Sequence, residues 1–166
     1  MQFWSEALSG LCWFSYACFF EWVAHRYFMH QPRFPLQDAF RGHMAHHQTF
    51  RGDNRFQSEP HTHPGGVALR WYAFPLMAVG HAPVWLLLQH LTGLSLFWGA
   101  LAGCALYFAG YEYTHYLMHA PQGHFIERFG WFRFLREHHR LHHQHMRCNY
   151  NVFIPLADLC LGTLRR

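Results

Sequence analysis

Three long apolar runs alternate with polar, histidine-rich stretches, and this alternation sets the expected architecture. Residues 3–24, FWSEALSGLCWFSYACFFEWVA, form the first run. As a helix it is long enough to cross a hydrocarbon core of ~30 Å. It has no basic segment before it and no small-residue cleavage site, and it leads straight into His25, so a retained membrane helix is expected rather than a signal peptide. Residues 31–70 are polar, and Pro60, Pro64, Gly65 and Gly66 mark a loop. Two further apolar runs, 71–90 and 94–111, are joined by the uncharged link Leu91-Thr92-Gly93 and read as a membrane hairpin. Pro75 and Pro83 predict a kink in its first arm. From Glu112 onward the chain is polar again and ends in the semi-apolar tail Asn151 to Leu164.

Composition supports one membrane-embedded domain over residues 1–166. Charged residues make up 13% of the chain, about half the ~25% usual for a soluble domain. Mean hydropathy is nevertheless slightly negative, because 17 histidines count as strongly polar. The net charge of +4 comes from 13 arginines and no lysine. Arginine is weakly hydrated and tolerates interfacial settings, and no recognisable nucleic-acid-binding motif accompanies the charge, so no nucleic-acid partner is expected. Cys12, Cys18, Cys104, Cys148 and Cys160 show no CxxC spacing and read as small hydrophobes.

Arginine placement sets the topology. None lies before Arg26 and none between Arg70 and Arg128. Three spans then put every arginine on one side, which the positive-inside rule makes cytoplasmic. The expected fold is all-α, an integral membrane helical protein of about three transmembrane helices with a cytoplasmic, histidine-rich helical cap. The cap and the C-terminus lie on the cytoplasmic side.

Four histidine groups carry the candidate chemistry: His25/His30, His43/His46/His47, His115/His119 and His139/His142/His143. In both HxxHH segments the histidines fall at i, i+3 and i+4, on one face of a helix, and His115 and His119 are i, i+4. Imidazoles converging on one point suit a metal ion. His25 and His30 are five residues apart and share a face only if the helix bulges or ends near Met29. Ten imidazoles exceed one ion's needs and suit two ions with open positions. Glu21 and Glu112, near His25 and His115, are placed to accept from a ligand's other ring nitrogen. His81, His90 and His124 are read as structural or interfacial, His138 as a bystander because HxxHH closes without it, and His61, His63 and His145 are left without a role.

The order HRYFMH, HMAHH, HYLMH and HRLHH resembles the fatty acid hydroxylase/sterol desaturase superfamily of membrane di-metal oxygenases. The likeness extends to Glu21-Trp22, Tyr111-Glu112, Asn149-Tyr150, Asp158 and Gly162-Thr163, and covers most of residues 20–164. Asn151 stands where the family usually has glycine. The resemblance implies that the ten box histidines hold two Fe ions, which activate O2 as co-substrate to hydroxylate or desaturate a C–H bond in a fatty-acyl or sterol-like membrane lipid. No catalytic residue beyond the ligands is required. The same site would accept zinc during purification. With no fused cytochrome b5 domain, electrons are expected from a separate donor, cytochrome b5 or a ferredoxin-like reductase system. Carotenoid hydroxylases share the boxes and a similar length, which makes a carotenoid ring the rival substrate. A membrane metal or electron carrier is the rival of another class, but it would place its histidines within the spans rather than at their ends.

Overall fold

The computed structural model describes residues 2–59, 64–121 and 123–166; His61 and His63 lie outside the described residues. No strand occurs among the described residues. The helices are α1 (Gln2–Ala24), extended by a π-helical turn over His25–Met29, α2 (Gln37–Thr49), α3 (Ala73–Thr92), α4 (Phe97–His119), α5 (Gly130–Gln144) and the short α6 (Leu156–Cys160). A 3-10 turn over Phe125–Arg128 precedes α5. The continuous helix Gln2–Met29 is long and apolar enough to cross a membrane, and it alone among the described helices combines that length with that hydropathy.

The chain packs as two compact units. The first comprises residues 1–17 and 69–110. Pro75 sits in the first turn of α3, where a missing N–H costs nothing, while Pro83 lies in the helix interior. Gly93 ends α3 in the left-handed conformation, at φ 67°, as helix C-termini often require. The start of α4 is capped by two side chains. Gln89 Oε1 accepts from the Leu96 and Phe97 N–H groups at 3.0 and 3.2 Å. Glu6, one of two acids within the first apolar run, accepts from Ser95 Oγ at 2.6 Å and from the Gly99 N–H, one of the donors that the first turn of a helix leaves free.

Close approach of α1 and α4 depends on glycine. A Cβ at Gly99 would lie 1.9 Å from the Glu6 carbonyl oxygen, and one at Gly103 would lie 2.2 Å from that of Gly10. Backbone cannot yield as a side-chain tip can. Gly103→Ala is therefore expected to destabilise the protein by about 1–3 kcal/mol, the usual cost of overpacking. A thermal unfolding series in detergent checks this; an unshifted midpoint would show that the two helices separate freely.

The second unit, residues 18–68 and 111–166, carries the histidines. Along α5, Phe132, Leu135, His139 and His142 recur at helical spacing and are all buried, so the imidazoles continue an apolar stripe into the interior. The polar loop after α2 docks on α5 through Gly52, whose carbonyl accepts from Arg140 at 2.7 Å and Gln144 Nε2 at 2.6 Å.

Candidate metal centre

The structure brings the ten box histidines together in two groups of five. One, group A, is His25, His30, His43, His47 and His142; the other, group B, is His46, His115, His119, His139 and His143. Within each group one ligand atom per ring lies within 4.8 Å of all the others. All ten rings are buried except His30, which is half-buried.

The π-helical turn resolves the five-residue spacing of the first box. The His30 N–H bonds to the His25 carbonyl at 3.1 Å, an i to i+5 bond that widens the turn. The two rings then stack with centroids 5.1 Å apart. Each HxxHH segment is divided between the groups rather than converging on one point. α2 gives His43 and His47 to group A and His46 to group B, while α5 gives His139 and His143 to group B and His142 to group A.

Backbone carbonyls fix the tautomers. A carbonyl only accepts, so a ring nitrogen bonded to one must carry the proton. His25 Nδ1–H donates to Tyr150 and His142 Nδ1–H to Cys148, the latter at 2.7 Å. In group B, His119 Nδ1–H donates to Phe56 at 2.7 Å and His143 Nδ1–H to Phe50. The Nε2 atoms of these four neutral rings are bare lone pairs. They nevertheless face other Nε2 atoms at close range. His43 Nε2 lies 2.9, 3.1 and 3.0 Å from those of His25, His30 and His47, and His30 and His142 approach to 3.1 Å. His139 Nε2 lies 3.2 Å from His119 and 3.1 Å from His143.

One proton per ring cannot satisfy so many contacts. His115 has both ring nitrogens buried without a hydrogen-bond partner among the described residues. Each such orphan costs desolvation free energy that only a ligand would recover. A metal ion fits the geometry. Two nitrogens at right angles, each about 2.1 Å from an ion, lie about 3.0 Å apart, against about 3.4 Å at the tetrahedral angle. The observed spacings match the right-angled arrangement, and five nitrogens exceed the four of a structural zinc site.

The electrostatics agree. Burial, then the neighbouring histidines, pushes His46 and His143 down to about 3 and holds His43, His139 and His142 well below the ordinary imidazole range. All are bare and ready to ligate at neutral pH.

The other sequence expectations fare differently. Glu21 is buried, but its carboxylate accepts from the Val152 N–H and from Asn151 Nδ2 at 3.2 Å, while the His25 ring turns to the Tyr150 carbonyl. The acceptor expected of Glu21 is thus supplied by backbone. Glu112 is half-buried on α4. His138 is no bystander: it is fully buried and its Nε2 lies 3.2 Å from Asp158 Oδ2. HxxHH closes without it as a metal box, yet the helix periodicity points it into a separate buried network. His145, His90 and His124 are exposed, and His81 pairs with Tyr16 Oη at 3.0 Å. The carbonyls of Phe50, Phe56, Cys148 and Tyr150 had no sequence signal, since every residue carries one.

Compared with known families, the chain matches the one described as Fatty acid hydroxylase over residues 10–163. The protein belongs to the fatty acid hydroxylase family. This is a family of oxidoreductases acting as hydroxylases and desaturases, and the match runs through all four histidine boxes. No curated protein and no solved structure matches the chain. Family and geometry together support a histidine-rich metal-binding oxidoreductase.

Proposed function

We propose that this protein is an integral membrane di-iron oxygenase that hydroxylates or desaturates a C–H bond in a lipid, most plainly a fatty-acyl or sterol-like chain. The observation that carries the reading is the pair of five-imidazole groups with Nε2 atoms at right-angled spacing. Imidazole-only ligation suits iron and leaves each ion its full positive charge. Bound iron would supply O2 activation, with two electrons delivered by a separate donor such as cytochrome b5 or a ferredoxin-like reductase system. The chain's own part is to present ten neutral imidazoles, keep the tautomers of His25, His119, His142 and His143 fixed through carbonyls, and exclude water by burial. No side chain is needed as nucleophile or general base.

The membrane reading joins three spans, residues 3–24, 71–90 and 94–111, into a single domain with the histidine segments. Support comes from the arginine-free stretches before Arg26 and between Arg70 and Arg128. The first unit also leaves Phe3, Leu8, Leu11, Val79, Leu91 and Leu106 exposed, which suits hydrocarbon better than water. The histidine groups and the C-terminus then belong to the cytoplasmic side.

Purification under anaerobic, iron-replete conditions tests the proposal. Two irons per chain without porphyrin absorbance are expected, together with an added oxygen or double bond in the lipids of cells that make the protein, read by mass spectrometry. Iron bound in a porphyrin, or lipids unchanged by the protein, would refute it; an altered carotenoid pool would move the substrate to the carotenoid ring.

A further inference from the structure

The carboxylate of Asp158 belongs to neither histidine group, yet it is fully buried and bound by four donors. The Tyr150 N–H and Thr163 Oγ1–H reach Oδ1 at 2.9 and 2.6 Å, and the Asn151 N–H and His138 Nε2–H reach Oδ2 at 2.7 and 3.2 Å. This fills the roughly four acceptor positions a carboxylate offers. Burial would raise its pKa; the donors from His138, Thr163, Asn151 and Tyr150 outweigh that and keep it ionised.

The network continues on both sides. Asn151 Oδ1 accepts from the Asp158 N–H at 3.0 Å, and Asn151 Nδ2 donates to the Cys18 carbonyl at 2.8 Å and to Glu21. Trp22 Nε1–H donates to Thr163 Oγ1 at 2.9 Å. The Asn149 N–H bonds to the Thr163 carbonyl at 3.0 Å, and the Val152 N–H bonds to Glu21. Every backbone N–H from Asn149 to Val152 is therefore held, three of the four by a buried carboxylate. Asn149 itself sits at φ 56° and anchors the turn through Nδ2 to the carbonyls of His138 and Arg165, at 3.0 and 3.1 Å.

This clamped segment presents the Cys148 and Tyr150 carbonyls that take the Nδ1–H of His142 and His25. Both rings belong to group A. Group B takes its carbonyls from Phe50 and Phe56, in the loop docked on α5 through Gly52, with no contribution from Asp158. We propose that Asp158 is a positioning residue for group A alone, fixing the 148–151 turn whose carbonyls orient His25 and His142 for metal. Asp158→Asn keeps the shape but sets an amide donor against two donors, so the turn must shift.

The proposal rests on reading the two groups as metal sites, and one experiment separates the two. Metal-free full-length protein in detergent is titrated anaerobically with Co(II), followed by its visible absorption. Wild type should bind two Co(II); fewer would overturn the metal-site reading and the proposal with it. In Asp158→Asn one site should weaken about 10–100-fold, the usual cost of losing a partner behind a ligand, while the other is unchanged. In a His139→Ala background, where group A alone remains, the substitution should weaken that site; in a His142→Ala background it should leave the remaining site untouched. Thr163→Val, which removes one donor to the same carboxylate, should show the same selectivity at smaller size and stands in if Asp158→Asn fails to fold. With two sites intact in wild type, equal weakening of both, or weakening of neither, overturns the proposal.

Discussion

Replacing His139 by alanine is expected to abolish the proposed lipid oxidation and empty one of the two proposed metal sites. His139 is fully buried, and its Nε2 stands between those of His119 and His143 at 3.2 and 3.1 Å. Removing it opens the centre of group B and leaves the bare nitrogens of His119 and His143 without the ring that completes their polygon. Loss of an outer partner of a metal ligand costs up to about 100-fold in affinity or activity, so loss of the ligand itself should cost more than about 100-fold. The same is expected of His143→Ala. Membrane insertion should survive, since no residue of the three apolar runs changes. His145→Ala is the control: it lies at the end of the same helix, exposed and outside both groups, and should turn over as wild type does. Turnover and metal content measured on the same preparations decide the matter. Unchanged turnover in His139→Ala would sink the assignment of group B.

The division of the boxes follows a rule that spacing contains but does not announce. On a helix of about 100° per residue, positions i and i+4 differ by about 40°, and i+3 falls about 60° to the other side. His43 and His47 accordingly pair in group A, His115 and His119 in group B, and His139 and His143 in group B, while His46 and His142, the i+3 members, go to the opposite group. Periodicity thus marks which rings stay together. It does not tell which pairs from different helices meet, because that depends on how α2, α4 and α5 pack.

The first box shows the opposite limit. Its five-residue spacing conflicts with an ideal helix, and the conflict itself points to the π-helical turn at His25–Met29. Local deviation was legible because the chemistry demanded it. The supporting layer was not, for a physical reason: carbonyl acceptors at Phe50, Phe56, Cys148 and Tyr150 are common to all residues, and only folding selects them. Glu21 shows how this misleads. A carboxylate four residues before a histidine is well placed to accept from it, but a segment far along the chain, at Tyr150, reaches the ring instead and uses the carboxylate to hold itself. Hydrophobicity alone marks the three apolar runs, and each is helical but for the first two or three residues of the second and third. Glu6 interrupts the first without breaking it, because Ser95 and Gly99 meet its carboxylate.

Lowering the pH from 7 to 5 is expected to destabilise the metal-free protein steeply. Burial and then neighbouring rings depress His46 and His143 to about 3, against about 6.5 in an unfolded chain. Between those values the unfolded state binds protons that the folded state refuses, so stability rises with pH and is lost as pH falls below about 6.5. Each such group contributes ~1.4 kcal/mol per pH unit once below that point, so these two alone remove about 4 kcal/mol by pH 5. His43, His47, His139 and His142 are shifted in the same direction by the same causes and add to the slope. A folding free energy of about 5–15 kcal/mol does not withstand that for long. Metal bound only by the folded state opposes the loss by mass action, so the loaded protein should hold its midpoint further into acid. Thermal midpoints in detergent at pH 7, 6 and 5, with and without metal, measure both slopes. If the metal-free midpoint stays flat from pH 7 to 5, the buried rings accept protons without cost, and the argument that they are held bare for a metal fails with it.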